Sequence, residues 1–119
     1  MKRKLLILPV LLALAAGATG CGGERGPVRE VSVIMGPGMI FNPADLTGTA
    51  GEQLLIKVTN EDDTLEHDMV VAGKRVRLQP GKSGSLTVPL KKAGTLDIKC
   101  TLPGHTEAGM VGTIKVAPK

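Results

Sequence analysis

Cys100-Thr101-Leu102-Pro103-Gly104-His105-Thr106-Glu107-Ala108-Gly109-Met110 sets a thiol, an imidazole and a thioether at five-residue intervals. Just upstream, Leu96, Ile98 and Cys100 alternate with Asp97 and Lys99, the period-two pattern of a strand with one apolar face. Downstream, Val111 to Val116 reads as the closing strand, with Ile114 and Val116 turned inward. The quoted segment is therefore a loop between two strands, with Pro103-Gly104 and Gly109 supplying its turns. Cys100 stands where an inward position meets the loop, so its sulfur points into the end of a β core. A thiolate buried there needs a cation to offset its lost hydration. Three donors on one tight loop surround an ion with little ordering entropy left to lose.

Working outward, the chain reads as short strands punctuated by Gly and Pro. Val31, Val33 and Met35 form one alternating run, and Leu54, Ile56 and Val58 form another that ends at Asn60-Glu61-Asp62-Asp63. His67 opens a strand through Met69 to Val71, Lys74 to Leu78 follows it, and Leu86, Val88 and Leu90 share a face after the Pro80–Gly84 turn. No helical period follows the N-terminal segment. The expected fold is all-β, a Greek-key antiparallel β-sandwich of about seven or eight strands. With one Phe and no Trp or Tyr, its core is built from Val, Leu, Ile and Met.

His67 and His105 are the only histidines, and one of the two cysteines has a separate explanation. Lys2, Arg3 and Lys4 precede an apolar run from Leu5 to Ala16, too short to span a bilayer, and small residues lead to Cys21. Residues 1–20 thus read as an export signal. Ala18-Thr19-Gly20-Cys21 resembles a bacterial lipobox, with Ala18 where Leu is usual; on that reading Cys21 carries diacylglycerol. Cleavage after Ala16-Gly17-Ala18 by ordinary signal peptidase is the alternative. Residues 21–29 read as a flexible tether and 30–119 as the domain. The full chain has 15 basic and 11 acidic residues; without the leader's three, 12 basic residues remain against those 11. A domain so near neutrality, with one aromatic residue, carries no nucleic-acid signature.

Two imidazoles, a thiolate and a distant thioether match copper: His₂Cys in a plane with a weak axial Met. Cys100-Thr-Leu-Pro-Gly-His105-Thr-Glu-Ala-Gly-Met110-Val-Gly-Thr resembles the copper loop of cupredoxins, the plastocyanin and azurin family. Phe41-Asn-Pro, Gly51-Glu52, Asn60 and Pro80-Gly81 also fit, so the resemblance covers about Val31 to Val116. Four residues between Cys and His, and four between His and Met, are similar to longer-loop members such as auracyanin and rusticyanin. The resemblance implies a single copper ion held by His67, Cys100 and His105 with Met110 axial, cycling between Cu(I) and Cu(II) in one-electron transfer.

Two departures accompany it. Many cupredoxins have Asn after the first ligand histidine, where this chain has Asp68. A carboxylate there would accept a hydrogen bond from the Cys loop near Thr101 and tie the ligand segments together. If ionised it would also favour Cu(II). The aromatic pair often found before the Cys is absent from Leu96-Asp97-Ile98-Lys99, which leaves His105 as the electron exit, within an apolar patch to which Met39, Met69 or Ala108 would contribute.

The expected function is electron transfer with redox partner proteins, such as a cytochrome or oxidase, docking near His105. The protein is expected to be a monomer at the outer face of the cytoplasmic membrane or in the periplasm, lipid-anchored at Cys21. The alternative is an extracytoplasmic copper-binding protein for delivery or resistance. Catalysis is not expected, because a catalytic metal keeps an open coordination position and here protein side chains fill all of them. The acidic residues Glu61, Asp62, Asp63 and Glu66 read as a solvated turn, and Lys74, Arg75 and Arg77 as an exposed strand face.

Overall fold

The alternating apolar runs become strands whose inward residues meet between two sheets. A computed structural model describes residues 25–119. Among these lie nine strands and no helix: β1 (Val28–Met35), β2 (Phe41–Asn42), β3 (Asp45–Thr49), β4 (Gln53–Asn60), β5 (His67–Val71), β6 (Lys74–Leu78), β7 (Ser83–Pro89), β8 (Gly94–Lys99) and β9 (Val111–Ala117). One sheet has the order β2-β1-β4-β7 and the other β3-β9-β8-β5-β6. The leader, Cys21 and residues 22–24 of the expected tether lie outside the described residues. β1 opens at Val28, two residues before the expected start of the domain at residue 30, and Gln53 N donates to Pro27 O at 2.9 Å.

The core faces read from the sequence are buried, apart from Val31 and Leu96, which are partly buried against the core. Val33, Met35, Leu54, Ile56, Val58, Val88, Ile98 and Ile114 are at most 1% exposed. Burying each such side chain contributes about 1.5–3 kcal/mol relative to leaving it in water. Phe41, the single aromatic, is buried as well. Gly112 is required where β9 passes the Ala44 carbonyl, because a Cβ there would collide with that backbone oxygen.

The expected all-β sandwich is present, and its sheets are mixed: among the described residues, five of the seven strand pairings are antiparallel and two are parallel. β1 runs parallel to β4, from Val28↔Gln53 to Met35↔Asn60, and β3 runs parallel to β9, from Asp45↔Thr113 to Thr49↔Ala117. Side-chain alternation is the same in either direction, so periodicity does not encode it. The parallel pairing of β1 with β4 uses residues 36–52 as its crossover. β2 and β3 were not expected: one is two residues long, the other is largely polar, and Pro43 separates them.

The registers sort the loops into two ends. β1, β4, β6 and β8 finish, and β5, β7 and β9 begin, at one end, which carries the loop of residues 100–110. The other end gathers the starts of β1, β4, β6 and β8 with the finishes of β3, β5, β7 and β9. There Ala50 N donates to Ala117 O at 2.8 Å, extending the β3–β9 pairing, and Gly51 N donates to Leu90 O at 2.7 Å, tying the end of β3 to the segment after β7 in the other sheet. Each of the nine strands adds at least one side chain to a single core cluster, so residues 25–119 pack as one folding unit.

Candidate metal centre

His67 begins β5, Cys100 follows β8 directly, and His105 lies on the loop that returns to β9. Val70 pairs with Lys99, so the antiparallel register carries the first residues of β5 past the end of β8 and over the loop. The three side chains meet at the end of the core. His67 Nδ1 lies 3.2 Å from His105 Nδ1, and Cys100 Sγ lies 3.4 Å from His105 Nδ1. One donor atom from each residue lies within 4.8 Å of the others, and all three residues are buried. Ligands about 2.0–2.3 Å from a common ion in a plane lie about 3.6 Å apart, close to these spacings.

The loop folds by its own backbone. His105 N donates to Leu102 O at 3.1 Å, Met110 N to His105 O at 3.0 Å, and Cys100 N to Met110 O at 3.1 Å. Thr106 Oγ1 donates to Cys100 O at 2.6 Å. Met110 is fully buried beside the cluster's ends of β8 and β9. Met69 is fully buried too, in the core, so it contributes nothing to a surface patch.

Asp68 ties the two ligand segments together. Its Oδ1 accepts Thr101 N–H at 2.6 Å, and its Oδ2 accepts the Thr101 hydroxyl at 2.6 Å and Arg75 Nε at 2.7 Å. Asp68 N–H in turn points at Cys100 Sγ at 3.5 Å. Burial pushes the Asp68 carboxyl up, but the bonds from Thr101, together with Arg75, outweigh it and hold the group below its ordinary range. The carboxylate is ionised at neutral pH, and Arg75 offsets its charge. Burial also pushes the Cys100 thiol up, and the Asp68 charge adds to this against the N–H groups of Asp68 and Leu102. Without a cation the sulfur is a thiol; a soft cation stabilises the thiolate, which is the chemistry of a copper donor set.

Asp62 was read as part of a solvated turn, and the structure corrects this: it is 7% exposed and sits behind His67. Its Oδ2 lies 3.3 Å from His67 Nε2 and accepts Gly38 N–H at 2.9 Å. Its Oδ1 accepts the N–H groups of Thr64 and Leu65, each at 3.1 Å. These backbone donors hold the carboxyl well below the usual range. With Nε2–H given to Asp62, His67 turns Nδ1 toward Cys100 and His105, the arrangement in which a carboxylate orients a metal-bound imidazole. The Asp62-x-Thr64 spacing of a side-chain turn was a usable signal; its contact with His67 was not readable. Asp62→Ala is expected to weaken copper binding by about 10–100-fold. Competitive chelator titration measures this, and an unchanged affinity would refute the orienting role.

Arg75 and Arg77 are exposed as expected, yet both are engaged, Arg75 with Asp68 and Arg77 with Glu66. His67 is wholly enclosed, whereas His105 is 7% exposed. Exposed Ile40 and Val111 stand at the same end of the sandwich, with partly buried Met39 and Leu102.

Two packed β-sheets closing at one end over a buried His₂Cys cluster define a class of copper-site β-sandwich proteins. The chain belongs to the cupredoxin-like domain family, whose model matches residues 4–114. It is 31% identical over 110 residues to the copper-resistant cuproprotein CopI of Rubrivivax gelatinosus, covering 74% of this chain and 66% of that protein. A CopI of Pseudomonas aeruginosa is 49% identical over 43 residues, covering 36% of this chain and 24% of its own. The chain thus spans less than two thirds of the length of either relative. The crystal structure of dithionite-reduced auracyanin from Roseiflexus castenholzii has the same fold, with a TM-score of 0.70 at 21% identity over 78% of this chain and all of that one.

Proposed function

We propose that this chain is a mononuclear copper protein that transfers single electrons outside the cytoplasmic membrane, with His67, Cys100 and His105 as equatorial ligands and Met110 as the axial one. The observation that carries the reading is the buried donor set of His67, Cys100 and His105, braced by Asp68 and Asp62. Copper bound there supplies a Cu(I)/Cu(II) couple. The chain's own groups hold the donors in one geometry for both states: Asp68 grips the Cys100 loop, Asp62 orients His67, and the strand ends enclose the sulfur. Little rearrangement then accompanies a change of charge.

His105, 7% exposed where His67 is wholly enclosed, is the proposed electron exit. Ile40 and Val111, exposed at the same end of the sandwich, offer apolar side chains for brief docking of a redox protein, an interface of the transient kind. Export rests on the leader-like residues 1–20, and anchoring on Cys21. A role in copper resistance is the second reading, favoured by the names of the two CopI relatives.

Titration of the purified domain with Cu(II) separates them. Electron transfer predicts an intense thiolate-to-copper absorption toward the red and repeated reduction and reoxidation without loss of the ion. A colourless site that surrenders Cu(I) readily to a chelator would favour copper holding instead. Cu(II) held without any strong visible band would overturn the His₂Cys assignment.

A further inference from the structure

The charges are sorted between the two ends of the sandwich. The metal-centre end carries Glu61, Asp62, Asp63, Glu66 and Glu107 on its loops against Arg77, Lys82 and Lys99, a net excess of acid. The far end carries Lys74 at the start of β6, Lys91 and Lys92 between β7 and β8, and Lys119 after β9. Arg25, the first described residue, stands there as well. Three adjoining hollows share these side chains: Lys74 and Lys91 line two of them, Arg25 two, and Lys92 and Lys119 one each. Glu52 is the single carboxylate side chain lining any of the three, and it is engaged with Arg29 at 3.4 Å and with Thr49 N–H at 3.0 Å. Lys74, Lys91 and Lys92 are exposed, and among the described residues none makes an ion pair.

We propose that this basic end is a docking surface for an anionic membrane, and that it turns the metal centre away from the bilayer. Two further observations favour a lipid surface over an acidic protein. The polypeptide enters the domain at this end, through Arg25 to Val28, so the leader-derived segment that reads as membrane-directed joins the domain on its basic side. Val28, 60% exposed, sets one apolar side chain among the cations, the pairing that suits a headgroup interface. Lysines held within a Debye length of anionic headgroups each strengthen attachment and lose that effect as salt rises. The acidic opposite end is repelled by the same surface, so both charge groups favour one orientation, with His105 facing outward. The inference is independent of copper binding and of acylation at Cys21.

Sedimentation of residues 25–119 with vesicles tests it. The domain is expected to bind vesicles of equal parts phosphatidylglycerol and phosphatidylcholine, to leave them at about 0.5 M salt, and to ignore pure phosphatidylcholine. Lys74→Ala/Lys91→Ala/Lys92→Ala is expected to weaken binding about a hundredfold, at about fivefold per charge. Lys82→Ala/Lys99→Ala, at the metal-centre end, is expected to leave it unchanged. Failure of the unaltered domain to bind anionic vesicles, equal binding to neutral ones, or full binding by the triple variant would each overturn the proposal.

Discussion

Cys100→Ser is expected to abolish the intense visible absorption of the copper-loaded protein and to lower its affinity for Cu(II) by more than a hundredfold. The sulfur is the soft donor of the cluster; a serine oxygen is harder and keeps its proton at neutral pH. Loss of an orienting partner alone costs about 10–100-fold in affinity, and loss of the ligand itself costs more. Metal that binds only the folded state adds about 4 kcal/mol at a free concentration a thousand times its Kd, and about 1.4 kcal/mol once affinity falls a hundredfold. The copper-dependent rise in melting temperature should therefore shrink by roughly 10–20 °C for a domain of this size. The apo fold survives the change, because the hydroxyl inherits Asp68 N–H and the His105 ring as partners. Absorption spectra with paired apo and loaded melting curves measure both effects. A variant that stays blue would remove Cys100 from the site.

Asp68→Ala is expected to destabilise the apo domain by about 2–4 kcal/mol. Asp68 is fully buried, and its removal strands the Thr101 N–H and hydroxyl and releases Arg75. Thr101 is exposed and recovers water in part, so each of its two lost bonds costs toward the low end of the about 1–3 kcal/mol of a fully buried donor. Arg75 is half exposed and recovers water, which keeps the loss below that of a wholly buried broken pair. Asp68→Asn separates packing from charge. It retains an oxygen for Thr101 N–H but turns an amide toward Arg75, for an intermediate cost of about 1–2 kcal/mol. It also removes a negative charge beside the cluster that favours Cu(II), so the midpoint potential should rise. Urea denaturation of the apo protein reads the first effect and voltammetry of the loaded protein the second. An Asn variant with unchanged potential would show that Arg75 neutralises the carboxylate completely.

Arg75 marks the limit of what a linear reading reaches here. On β6 it looked like one of three basic residues on a solvated face, and its exposure is as expected. Its bond to Asp68 follows from the β5–β6 hairpin, where Asp68 stands opposite Arg77 and Arg75 reaches back along the strand. Asp62 was missed for a similar reason. Its acidic neighbours Glu61 and Asp63 are exposed, and only the folding of residues 60–65 around its oxygens turns it inward toward His67.

The loop from Cys100 to Met110 was legible because its chemistry is local: three donor types and their turns lie within one short covalent stretch. The buried faces of β4, β7, β8 and β9 were legible because strand periodicity ties burial directly to position. Strand direction, the short strands β2 and β3, the orienting role of Asp62 and the opposed charges of the two ends belong to the tertiary structure alone. Each depends on registers between segments far apart in the chain, and alternation along a strand carries no record of which neighbour it pairs with, or in which direction.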